Sequence, residues 1–143
     1  MGQVKTRLGK DIGMVDATWW FRHQTRRLIR RLDRPTWSTV LAIAPDHLVL
    51  TRAYPAHVQR VPQGRGDLGD RMRRVFHRFR SDATLIIGGD VPGIAPRHIE
   101  QGFQALKSRD AVFGPAEDGG YWLIGLRPGP VPPALFTQVR WST

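Results

Sequence analysis

Two turns in the sequence each combine a pair of glycines with acidic residues. Gly88-Gly89-Asp90-Val91-Pro92 follows Thr84-Leu85-Ile86-Ile87, and Glu117-Asp118-Gly119-Gly120 leads into Tyr121-Trp122-Leu123-Ile124. Glycine has no Cβ, so the backbone can turn sharply there and a ligand can come close. A carboxylate in such a place can hold a divalent metal against a phosphate, orient a hydroxyl or accept a proton. Asp90 reads as the metal-holding carboxylate or, equally, as a turn cap. Glu117 and Asp118 read as catalytic acid–base groups that could share the metal, or as the solvated acids of an Asp-Gly hairpin. Gly88, Gly89, Gly119 and Gly120 would admit the ligand. The recurrence of the pattern at two strand-flanking turns favours one shared site over two unrelated loops. A third stretch, Lys5-Thr6-Arg7, sets two cations and a hydroxyl side by side. That suits the oxygens of a diphosphate, although many chains simply begin with a basic segment.

These residues need strands and helices to position them. Thr84 to Ile87 is short, apolar and β-branched, as expected of a central parallel strand covered on both faces, and Pro92 ends it. In open α/β sheets the ligand crevice lies beyond the carboxyl ends of the strands. A helix is expected from about Asp16, its cap, to Leu32, with Trp20, Phe21, Leu28 and Leu32 on one face and arginines on the other. Trp19 and Trp20 are expected in core or rim packing. Val40 to Ala44 reads as a strand and 47–53 as a short extended piece. Pro55 and Pro62 bracket an irregular connection. Gln63-Gly64-Arg65-Gly66-Asp67 runs into a helix with Leu68, Met72, Val75, Phe76 and Phe79 on one face. Asp67 is its expected N-cap and Asp70 a favourable first-turn charge; the loop amides could otherwise face a nucleotide. Pro96 opens a further helix with Ile99, Phe103 and Leu106 inward, and 110–115 reads as a strand. The alternation predicts an α/β fold, three layers with a largely parallel, doubly wound sheet.

The bulk numbers narrow the function classes. One domain over 1–143 is expected. No apolar run approaches the roughly 20 residues of a membrane span, and no signal peptide is recognisable, so a cytoplasmic protein is the default expectation. The chain has no cysteine, which excludes disulfides and thiolate metal sites. Its formal net charge is +10. Much of the basic charge is arginine along two predicted helices, and no nucleic-acid motif accompanies it, so nucleic acid is not the expected partner.

With these residues in view, the sequence resembles a bacterial family of glycosyltransferases of the GT-A type, which have the nucleotide-diphospho-sugar transferase fold. The matching pieces are Val4-Lys5-Thr6-Arg7-Leu8, Gly66 to Met72, Gly89-Asp90-Val91-Pro92, Gly114 to Gly125 and Trp141-Ser142-Thr143. The run Gly-Pro-Ala-Glu-Asp-Gly-Gly-Tyr is the specific one. The resemblance implies a nucleotide-diphospho-sugar donor, an acceptor it does not identify, and Mg²⁺ or Mn²⁺ as cofactor. Lys5 and Arg7 would contact the nucleotide phosphates. Asp90 would stand at the metal position, and Glu117 and Asp118 would face sugar or acceptor. A more distant similarity, to guanylyltransferases, keeps nucleotidyl transfer open as an alternative. Family members open with a strand and a Pro-x-x-Gly loop before Val-Lys-Thr-Arg and continue past Trp-Ser-Thr. The expectation is therefore a fold shortened at both ends, with an exposed sheet edge favouring self-association, reduced nucleotide affinity and, as a further alternative, no catalysis.

Overall fold

The computed structural model of the chain describes residues 14–117 and 119–136. It is an α/β structure with two sheets between helices. Helix α1, Met14–Leu32, is followed by strand β1, Val40–Ile43, and a 3₁₀ turn, Asp46–Leu48. Strand β2, Gln59–Pro62, then leads to helix α2, Leu68–Arg78, and strand β3, Thr84–Ile87. Helix α3, Pro96–Leu106, precedes strands β4, Ala111–Pro115, and β5, Tyr121–Leu126, and a second 3₁₀ turn spans Pro133–Phe136.

Strands β1 and β2 pair in parallel, with Ile43 opposite Pro62. The other sheet has the order β3-β5-β4, and β5 runs antiparallel to both neighbours. The sheet architecture is thus mixed, which corrects the expectation of a largely parallel one. The cause is the short connection from Pro115 to Tyr121: a parallel crossover needs a dozen or more residues, whereas a tight turn permits only an antiparallel return. The middle position of the three strands belongs to β5, whose Leu123 to Leu126 are buried, and not to β3, whose four residues are all half-buried.

The side chains of β5 alternate between two cores, as the period of a strand requires. Leu123 joins Leu28 and Leu32 of α1 and Ile99 of α3 on one face. Ile124 and Leu126 join Met72 and Phe76 of α2 and Phe136 on the other. Gly102 lets α3 come close to β3, since a Cβ there would sit 2.9 Å from Leu85 Cδ1. Trp37 Nε1 donates to the Leu32 carbonyl at 2.9 Å and ends α1.

Several local expectations need correcting. Asp16 lies inside α1 and does not cap it. Trp19 is 66% exposed, stacked on His23, and Trp20 is also exposed, so neither packs in a core. The stretch 47–53 is turns rather than extended, because Arg60 of β2 gathers it: the guanidinium donates to the carbonyls of Thr51, Tyr54 and Pro55. The connection between Pro55 and Pro62 contains β2. No helix among the described residues is long and apolar enough to cross a membrane.

Candidate functional site

The two glycine turns meet at one end of the β3-β5-β4 sheet. Because β3 and β4 both run opposite to β5, they are parallel to each other and share their carboxyl ends. The ladder extends one step past β3, where Gly88 N donates to the Trp122 carbonyl at 3.3 Å. Opposite, the β4–β5 turn is closed by Ala116 N to the Gly120 carbonyl at 2.9 Å and Gly119 N to the Ala116 carbonyl at 3.1 Å. It is a hairpin, as the residues Asp-Gly allowed, and it lies at the same sheet end as the Gly88-Gly89 turn.

The glycines there divide by role. Gly119 has φ +83°, a left-handed conformation that glycine adopts without strain. Gly88, Gly89 and Gly120 are not among the positive-φ residues. A Cβ on Gly89 would reach Phe21 at 3.5 Å and Thr25 Oγ1 at 3.8 Å, ordinary contacts, so α1 covers this turn closely without forcing glycine. Arg31 of α1 also donates to the Ile94 carbonyl at 3.2 Å, which fastens the helix over the segment beyond the turn.

Asp90 is half-buried, with Oδ1 3.4 Å from the place a Cβ on Gly88 would take. Glu117 is exposed at the hairpin tip. Asp118, Lys5, Thr6 and Arg7 lie outside the described residues. Among the described residues no three His, Cys, Asp or Glu side chains cluster as a metal site. Asp90 alone is a donor set suited to an ion that arrives with phosphate oxygens and keeps several waters, as Mg²⁺ commonly does, rather than to a cage of protein ligands.

The glycine-rich loop before α2 is a helix start. Asp70 N donates to Asp67 Oδ1 at 2.8 Å, and Asp67 N donates to Asp70 Oδ2 at 3.3 Å. Gly64 N donates to Asp46 Oδ1 at 2.9 Å, and Arg74 holds the carbonyls of Gln63 and Arg65. Those loop groups are occupied within the protein, which upholds capping over nucleotide contact for Asp67.

Two features were absent from the sequence reading. One is a cavity of ≈ 1850 Å³ between β1 and β3, walled by α1 on one side and α2 on the other. Gly88 and Gly89 form part of its lining, so it reaches the first of the two glycine turns. The other is Thr25 of α1, also on that lining: its side chain is 6% exposed and its Oγ1 has no hydrogen-bond partner. A mid-helix threonine between arginines gives no signal of this in sequence.

Residues 28–143 match the model of a family described as "Uncharacterized protein conserved in bacteria (DUF2064)". The chain belongs to this family. No curated protein matches it. Among solved structures it is similar to a "putative nucleotide-diphospho-sugar transferase" from Desulfovibrio desulfuricans, at 30% identity and a TM-score of 0.81. The match covers 98% of this chain and 64% of that one. The family member described here therefore has a nucleotide-diphospho-sugar transferase-like α/β fold, and spans less than two thirds of the relative's length.

Proposed function

We propose that this protein is a glycosyltransferase that takes a nucleotide-diphosphate sugar as donor and uses Mg²⁺ or Mn²⁺. The observation that carries the reading is the meeting of the Gly88-Gly89-Asp90 turn and the Glu117–Gly120 hairpin at one sheet end. It gains support from the likeness to the Desulfovibrio structure, although fold alone does not determine chemistry. The barrier to sugar transfer is dominated by the charge of the departing diphosphate. Asp90 would hold the ion, which when bound supplies positive charge to that group. Lys5 and Arg7 would add cationic hydrogen-bond donors, with Thr6 beside them. Asp118 would take the acceptor proton, and Glu117 would orient sugar or acceptor.

The test is a thermal-shift panel of UDP-, GDP-, CMP- and dTDP-linked sugars with and without Mn²⁺, on this protein and on Asp90→Ala. A donor at a hundredfold over its Kd should stabilise by about 2.7 kcal/mol, several degrees for a chain of this size. A Mn²⁺-dependent shift lost in Asp90→Ala is the expected result. No shift with any donor, from a cooperatively melting protein, overturns the reading. Products then separate the alternatives: free nucleoside diphosphate indicates sugar transfer, and pyrophosphate indicates nucleotidyl transfer.

A further inference from the structure

The start of α3 reads Ala95-Pro96-Arg97-His98, with Ala95 as N-cap and His98 at the third helical position. Capping boxes place Glu or Gln at that position, where the side chain reaches back to the N-cap amide. Here the imidazole does so: Ala95 N donates to His98 Nδ1 at 3.2 Å, and His98 N donates to the Ala95 carbonyl at 3.0 Å. A carboxylate or an amide accepts throughout the neutral range. An imidazole nitrogen accepts only while it carries no proton, so this bond requires the neutral ring with its proton on Nε2.

The peptide that His98 holds is held on its other side as well. Arg31 of α1 donates to the Ile94 carbonyl at 3.2 Å, and that carbonyl belongs to the same peptide group as the Ala95 amide. Ile94 is 2% exposed, so little water can replace either partner. A donor on the oxygen also polarises the peptide and strengthens the bond made by its N–H.

This clamp closes the loop that carries Asp90. The loop begins at Gly88, whose N–H donates to the Trp122 carbonyl at 3.3 Å, and it ends at Ala95. His98 bears on both ends: Nδ1 holds Ala95, and the ring lies 6.0 Å from that of Trp122. Protonation reverses these relations. Nδ1 becomes a donor facing a donor. Positive charge is disfavoured at a helix N-terminus and beside a peptide already bonded to Arg31. Trp122, by contrast, attracts a cation toward its ring. The surrounding elements add little charge of their own. Strands β3 and β4 have no ionisable side chain, and β5 has Tyr121 alone, uncharged below about pH 10. Arg97 and Glu100 of α3 are exposed, Glu117 is at the hairpin tip, and Asp90 is on the loop itself. Among the described residues no carboxylate lies within ion-pair distance of His98.

We propose that His98 is a pH-sensitive clamp on the Asp90 loop. Neutral, it fixes Ala95 and closes the loop; protonated, it releases Ala95, turns toward Trp122 and lets the loop loosen. The consequence for an ion at Asp90 rests on the function proposed above; the clamp itself does not.

NMR of the full chain from about pH 8 to 5 tests it, since histidine side chains change charge in that range. At the upper end the His98 nitrogen shifts should show Nδ1 bare and the proton on Nε2. With intrinsic exchange rates divided out, protection of the Ala95 amide should fall about tenfold on acidification. That of Gly88 should fall with it, while Phe103 inside α3 stays level. His98→Gln keeps an acceptor without a titrating ring, so Ala95 protection should persist in it and stay level across the range. Broadening of the Asp90 amide by Mn²⁺ should need about tenfold more ion at the acid end in the unaltered chain, and no more in His98→Gln. Level Ala95 protection in the unaltered chain, or an equal fall in His98→Gln, overturns the clamp. So does a proton on Nδ1 at the upper end. Absence of Mn²⁺ broadening throughout refutes the ion at Asp90, while the exchange result still decides the clamp.

Discussion

The indole of Trp122 lies against Gly114 across the β4–β5 ladder, with Nε1 2.9 Å from the point a Cβ on Gly114 would occupy. The same indole meets the His98 ring at a centroid distance of 6.0 Å, tilted by 60°. Trp122 also supplies the carbonyl that receives Gly88 N, so this one residue joins both turns of the crevice. Gly114→Ala should therefore destabilise by about 1–3 kcal/mol through overpacking. Trp122→Leu makes room, and the double variant should recover most of that loss relative to Trp122→Leu alone. Urea titration of the four proteins gives the coupling energy; additive effects would show that the two residues do not share this space.

Asp67 and Asp70 satisfy each other's backbone amides at the start of α2. Asp67→Ala should lower stability by about 1 kcal/mol, a fall in Tm of a few degrees, while Asp67→Asn should recover most of it. Equal losses in the two variants would mean that capping is not what Asp67 contributes.

Phe76 is 2% exposed, and its ring stacks on Phe136 at 6.1 Å. Phe76→Ala should destabilise by about 3–5 kcal/mol, read as a lower urea midpoint at unchanged m-value. Arg78 at the end of α2 is exposed and should tolerate alanine within about half a kcal/mol.

The chain has two tyrosines, and both phenols ionise above the ordinary value of 10.0. Burial raises Tyr54, against the opposing pull of the Arg22 and Arg26 charges, and burial raises Tyr121. A pKa raised on folding contributes stability that is complete below the unfolded pKa and is lost as pH climbs through the folded one. Stability should thus be level with respect to tyrosine up to about pH 10 and fall above it. Absorbance at 295 nm should place the native tyrosinate midpoint above that of the urea-unfolded chain; coincident midpoints would refute this.

The three helices and strands β1, β3 and β4 were legible because their apolar spacing and punctuation agreed: Pro96 opened α3, and Asp67 opened α2. Gln59-Arg60-Val61-Pro62 was not, since four residues with one inward apolar side chain, Val61, carry almost no periodicity. That strand exists because β1 pairs with it and Arg60 ties down 51–55. The sheet was expected to be largely parallel because helix–strand alternation outweighed the hairpin alternative already visible at Asp118-Gly119. The two turns were legible as turns, because glycine and acid are chemically conspicuous, and the sheet brings them to one end. The Thr25 hydroxyl was not legible, because its burial arises only when distant segments come together.

The β4–β5 hairpin also bears on how the crevice comes into being. Strands joined by a tight turn find each other within microseconds, with little chain to close. β3 must instead wait for α3 to fold back across the sheet, so its contacts carry a larger loop-closure entropy. Half of the crevice is therefore encoded locally and half by long-range assembly. Residues 111–126 should acquire their pairing first during refolding, and the Gly88-Gly89-Asp90 turn should be the later arrival at that sheet end.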